Sequence, residues 1–282
     1  MNTKMHRPDL PNRWPSMGVA SVVVSLIAAL FLAHAIHGTE VSLYDFITGI
    51  PRISDLIARM LPPDFARIGS VLAALYETFQ MAVIGTLIGV ILSVPLAILA
   101  SRNLTPNVFV YGIARGFISF ARTIPDLIWA IIFVIMVGLG PFAGTLAIAM
   151  DTIGFCGRFF AEAMEDVDDG PQEALTAIGA SRTGVITSAV IPAAAPSFIT
   201  TSLFNLESAT RSSVVLGVVG AGGIGMELKV SMDLFRYDEA ATILLSILIL
   251  VIAVERVGAY VRSRIIGRNG NASGQAKLSA IG

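Results

Sequence analysis

Between Val71 and Ala100 the chain runs for thirty residues with Glu77 as its only charged side chain. That run constrains the fold more than anything else in the sequence, because about 20 mainly apolar residues in a helix cross a hydrocarbon core about 30 Å thick. It has company. Val19 to Ile36 and Leu127 to Leu139 contain no Asp, Glu, Lys or Arg, and further apolar blocks follow toward the C-terminus. Hydrophobic residues make up 55% of the chain and charged residues 14%, with a mean hydropathy of +0.77. A soluble domain carries about 25% charged residues. The surplus recurs in separated blocks rather than in short buried strands, so a bilayer is the solvent that fits.

The same numbers exclude several functions. The net charge is -1 and the 19 Lys and Arg residues are scattered, which leaves no basic face for nucleic acid. Cys156 is alone, so neither an intrachain disulfide nor a thiolate cluster is available. His6, His34 and His37 begin no metal-ligand pattern, and no catalytic constellation or cofactor motif is expected.

Six spans are predicted: 18 to 37, 74 to 100, 109 to 139, 142 to 163, 186 to 210 and 239 to 261. The first follows Lys4, Arg7 and Arg13, as a signal peptide would. It lacks a small-residue cleavage site and more spans follow, so a retained helix is expected. In the third, Arg115 and Arg122 precede Thr123-Ile124-Pro125-Asp126. Residues 109 to 122 are expected to rise from the membrane surface with their arginines snorkelling, and 126 to 139 to cross the centre. Pro125 supplies a kink or restart, since it removes an amide donor and clashes with the preceding turn. Gly138-Leu139-Gly140-Pro141 then predicts a tight return.

Six crossings place both termini on one side. Lys4, Arg7, Arg13, Arg102, Arg182, Arg262, Arg264 and Arg268 all fall on the side that the positive-inside rule assigns to the cytoplasm, giving an N-in, C-in expectation. The resulting organisation is a cytoplasmic segment 1–17, a first span with an extracytoplasmic loop over 18–73, a transmembrane domain over 74–266 and a flexible tail over 267–282.

Charges inside apolar blocks need partners. Glu207 and Arg211 are four apart on one helix face and are expected to pair; Asp151 and Arg158, seven apart, share a face as well. Structural neutralisation is the plainer reading of both, a gating or substrate role the sharper one. Glu77, Asp126 and Glu255 read as interface positions near span ends. Gly85, Gly89, Ser93 and Pro95, with Gly154 and Gly157, favour close helix contact or bending, as in transporters and inert bundles alike.

Val218-Val219-Gly220-Ala221-Gly222-Gly223-Ile224-Gly225 satisfies the dinucleotide-binding spacing through Gly220, Gly222 and Gly225. That motif requires a parallel sheet with crossover helices. Flanked by two spans, the stretch is instead expected to form a tight re-entrant or external segment near a channel mouth. The phosphate-cradling pattern Gly-x-x-x-x-Gly-Lys-Ser/Thr is absent from the sequence, so any ATP hydrolysis would belong to another subunit.

The polar interruption at 165–192 is where such a protein would meet something soluble. After Glu165, Asp166, Asp168 and Asp169, Pro171 suits the start of a helix. Gln172 to Gly179 then makes about two turns, with Gly179 permitting a bend. Glu173-Ala174, Gly179 six residues after that Glu, and Pro192 thirteen beyond the Gly resemble the signature of ABC-importer permeases. Leu175, Ala189 and Ile191 depart from it by apolar exchanges. A closer resemblance, from about Leu75 to Ile266, is to phosphonate-importer (PhnE-like) permeases. It rests on Arg122 to Ala130, Gly138 to Gly144, Pro171 to Leu175 with Gly179-Ala180, and Val218 to Gly225.

The resemblance implies an all-α membrane protein of the type I importer permease (MetI-like) fold, working without a cofactor of its own. It also implies a homodimer docked on a cytoplasmic ABC ATPase dimer and served by an extracytoplasmic phosphonate-binding protein. In that reading Glu173, Ala174, Gly179 and Pro192 belong to the element that couples to the ATPase. Arg122, Pro125, Glu207, Arg211, Gly220, Gly222 and Gly225 are candidates for the gate or pathway. The solute is left open among phosphonates, phosphite and phosphate, with methionine as the alternative solute and an ion-coupled secondary transporter as the competing class.

Overall fold

The computed structural model describes residues 18–39 and 42–279, with side chains as far as Arg264 apart from those of Val19 and Leu43. The expected N-terminal segment 1–17 lies outside the described residues. No strand occurs among those described. The chain divides into two compact units, one ending at Ile57 and the other beginning at Ala58.

The first unit holds α1 (Val19–Gly38) and most of α2 (Leu43–Arg59). Apolar all round and with none of its surface buried, α1 has the character of a helix whose solvent is lipid. α2 occupies the stretch expected to be a loop.

The second unit is a bundle of α3 (Ile68–Ala100), α4 (Val108–Thr123), α5 (Asp126–Val137), α6 (Pro141–Glu165), α7 (Asp169–Ala177), α8 (Arg182–Val185), α9 (Ile191–Val218), α10 (Ile224–Asp233) and α11 (Tyr237–Ser279). A π-helical turn, Ile186–Val190, joins α8 to α9. α1, α3, the run from α8 through α9, and α11 are each long and apolar enough to span a bilayer, and α4 with α5 makes a fifth if that bent pair is counted as one. α6 is 25 residues long, but its charges keep it outside that set. α11 is helical to Ser279, over residues that the sequence reading assigns to a tail.

α6 is nevertheless the centre of the bundle, packed by α3, α4, α5 and α9. Its closest neighbour is α3, and the reason is side-chain size. Gly85, Gly89 and Ser93 recur at four-residue spacing and are all buried, so they form one flat face. A Cβ on Gly85 would lie 2.8 Å from that of Ile148, and one on Gly89 would lie 2.8 Å from the carbonyl oxygen of Ala149. Real side chains cannot fit there. On the opposite flank Gly154 brings α6 against the backbone of Ala121 and Arg122, and Gly157 meets Ile118.

The break read at Pro125 is present: α4 and α5 meet at 94° across Ile124 and Pro125, so the lead-in and the following apolar stretch are two separate helices. The Trp129 indole N–H donates to the carbonyl of Ala121 at 3.2 Å, taking up an oxygen near the end of α4. Phe120 packs edge-on against the Trp129 ring at 6.0 Å, which fills the inside of the corner.

Candidate functional site

The loop after α6 is built to protrude. The Asp168 side chain accepts from the Gly170 amide at 3.3 Å, so α7 starts earlier than the Pro171 position read from the sequence. At its other end Ala180 N–H bonds Leu175 O and Gly179 N–H bonds Thr176 O, each at 3.0 Å. That pair is a Schellman closure, and it requires the left-handed backbone of Gly179, φ 86°. No residue of α7 is buried, and Ile178 beyond it is 80% exposed. Glu173 and Ala174 thus sit on a short, capped helix with no buried side chain.

Both feet of this loop are clamped to residues 101–107. Glu165 accepts from the Arg115 guanidinium at 3.0 and 3.1 Å and from the Arg102 amide at 2.8 Å. Arg182 donates to the carbonyl of Thr105 at 2.7 Å. Neither partner is near in sequence. Arg182 and Arg102 read beforehand only as topology markers.

Pro192 follows the π turn directly. Ile191 N–H reaches back five residues to Ile186 O, and the extra residue gives the proline ring room in an otherwise continuous helix.

Deeper in the bundle, polar groups gather near one level. Asn205 donates to the Thr152 hydroxyl at 2.7 Å, both buried, which sets that part of α9 beside the middle of α6. Glu207, 7% exposed, does not pair with Arg211. Its partner is Arg262 on α11, at 2.9 Å. The pair lacks hydrogen-bond alignment at Oε1, and Gly258 faces the same oxygen with no side chain to spare. Arg211 is exposed. Asp151 and Arg158, read as sharing a face, have separate neighbours. Arg158 bonds Glu162 at 2.8 Å, while Asp151 faces Asp126 and Arg122. The Arg122 guanidinium lies 5.9 Å from the centre of the Phe159 ring.

Phe159, Glu162 and Arg262 border an open groove beside α6 and α9. A hollow of about 770 Å³ runs along Phe159, Glu162, Pro196, Ser197, Thr200 and Thr201 and reaches Asp166, Asp168 and Pro171 at the foot of α7. A second, of about 390 Å³, is lined by Phe155, Phe159, Thr200, Thr201, Phe204 and Arg262. Hydroxyls, aromatic faces and paired charges line these two hollows.

At the far end of the bundle the glycine segment closes the turn between α9 and α10. Gly220, Gly222 and Gly223 have φ of 95°, 82° and 73°, values that suit glycine. The Glu77 carboxylate accepts from Gly223 N–H at 2.9 Å, and the Thr78 hydroxyl accepts from Ile224 N–H at 2.7 Å. Glu77 therefore caps α10. Gly140 N–H bonds Gly220 O at 3.0 Å, and Gly222 abuts Pro141. Gly225 sits against Gly217 and the carbonyl of Val214, a crossing only glycine permits. This is a turn held between helices, without the sheet a dinucleotide needs.

A helical bundle whose long apolar elements surround a charge-bearing centre, with a capped loop projecting from it, defines a multi-pass membrane transport protein. The chain belongs to the family of binding-protein-dependent transport system inner membrane components, whose model matches residues 85–267. It is 37% identical over 250 residues to the phosphite transport system permease protein PtxC of Stutzerimonas stutzeri, covering 88% of this chain and 89% of that one. It is 36% identical over 258 residues to the phosphate-import permease protein PhnE of Mycolicibacterium smegmatis, covering 91% of this chain and 48% of the relative. Among solved structures, an inward-facing MetNI methionine ABC transporter chain superposes with a TM-score of 0.60 at 20% identity, over 69% of this chain and 95% of that one. The fold is that of a type I ABC importer permease.

Proposed function

We propose that this chain is the permease of an ATP-driven importer that moves a phosphorus oxyanion, such as phosphite, phosphate or a phosphonate, by alternating access. The observation that carries the reading is the likeness, over most of both chains, to a phosphite permease at 37% identity. A groove of hydroxyls and ion pairs suits an anion that must be held briefly. Recognition proper then belongs to a separate extracytoplasmic binding protein.

In this reading α7 is the coupling helix. Glu173 and Ala174 face a groove on a cytoplasmic ATPase, Gly179 closes the helix, and Pro192 starts the climb back into the membrane. Two permease copies face one another across the α6 and α9 grooves, above two ATPase subunits that carry out the hydrolysis. ATP-driven closure of the ATPases draws the two coupling helices together and turns the bundle outward; hydrolysis and release restore the inward-facing state. Arg122, Pro125 and Arg211 line or hinge the pathway, the Glu207–Arg262 pair braces it, and Gly220, Gly222 and Gly225 shape its outer end. Both termini are cytoplasmic.

Proteoliposomes containing this chain, its ATPase and its binding protein test the proposal with phosphite, phosphate, a phosphonate and methionine as solutes. ATP-dependent uptake of at least one phosphorus compound is expected. Uptake of methionine alone would overturn the solute class, and uptake independent of ATP hydrolysis would overturn the mechanism.

A further inference from the structure

α2 (Leu43–Arg59) divides its surface cleanly. Phe46, Ile47, Ile50, Ile53 and Ile57 recur at helical spacing along one arc, and each is more than half exposed. Asp45, Thr48, Arg52, Asp55 and Arg59 occupy the opposite arc, balanced in sign. Large apolar side chains on one face of a helix require cover.

The chain itself restricts what that cover can be. Upstream, residues 39–42 connect α2 to α1, the apolar helix with no buried surface, and so short a link reaches under about 20 Å. Downstream, Asp64 is fixed to the start of α11: its amide bonds Asp238 O at 3.2 Å and its carbonyl accepts from the Thr242 hydroxyl at 2.6 Å. α2 is thus leashed at one end to the terminus of a membrane-crossing helix and at the other to a point where two such helices begin. Leu61 on the way to Asp64, and Phe65 just beyond it, are exposed as well.

We infer that α2 lies in the plane of the bilayer, its isoleucine and phenylalanine arc sunk in the acyl chains and its charged arc in water. The occupant of the face is lipid. The assignment is independent of the solute carried and of which side of the membrane is cytoplasmic.

Cys156 is buried, so an introduced surface cysteine can be spin-labelled without a second reactive site. Ile50→Cys, Ile53→Cys and Arg52→Cys, each labelled with a nitroxide in the full chain reconstituted in phospholipid vesicles, are compared by power saturation. Oxygen and a water-soluble nickel chelate serve as collision partners. Labels at 50 and 53 should relax with oxygen and be shielded from nickel, and the label at 52 should show the reverse. Nickel collisions exceeding those of oxygen at 50 and 53 would place the face in water. Poor access to both reagents would place it against protein, whether a second copy or a binding protein. Either result overturns the inference.

Discussion

The Glu207–Arg262 pair joins residues 55 positions apart at a depth where an unpaired charge is costly. Glu207→Ala should lower stability in detergent by about 3 kcal/mol or more, because it strands Arg262. Glu207→Leu combined with Arg262→Met should recover most of that loss. Thermal unfolding of the three variants measures the difference, and a double variant no better than the single one would count against pairing. Glycine is equally decisive where helices touch. Gly89→Leu should cost about 1–3 kcal/mol by overpacking the α3–α6 seam, whereas Gly112→Leu, with nothing within 4 Å of its Cβ position, should be close to neutral.

Among the elements, the loop from α6 to α9 carries the next test. Arg182→Ala releases one foot of the loop from Thr105 while leaving α7 and its caps intact. Uptake by the reconstituted transporter should fall several-fold while ATP hydrolysis persists; equal loss of both would mean that the clamp serves assembly instead. Much of this element was legible beforehand. Glu173, Gly179 and Pro192 marked the short helix, its stop and its exit, because caps and prolines act on their immediate neighbours. The clamp was not, since Arg115 meets Glu165 only after α4 and α6 have packed. For the same reason Arg262, the partner of Glu207, passed for a topology marker. The long apolar blocks announced α1, α3, α9 and α11 by length alone, but no local pattern gives the 94° angle at Pro125. Trp129 and Phe120 pack across that corner only once both helices are formed.

For the whole molecule, the sidedness proposed from the arginine distribution makes Ala174 and Gly69 report from opposite faces. A membrane-impermeant thiol reagent should modify Ala174→Cys only from the cytoplasmic side and Gly69→Cys only from the other, with buried Cys156 silent. The reverse pattern would invert the topology while leaving the fold untouched. One consequence of the architecture concerns how such a protein is made. α6 carries Asp151, Arg158 and Glu162 and does not reach the apolarity of a candidate membrane span, yet α3, α4, α5 and α9 all pack around it. A segment of that composition partitions poorly from the insertion machinery into bare lipid. α3, synthesised first, presents the glycine face that receives it. The helix at the heart of the finished protein is therefore the one that reaches its place by being handed to an earlier sibling, and the order of synthesis is written into which face was left small.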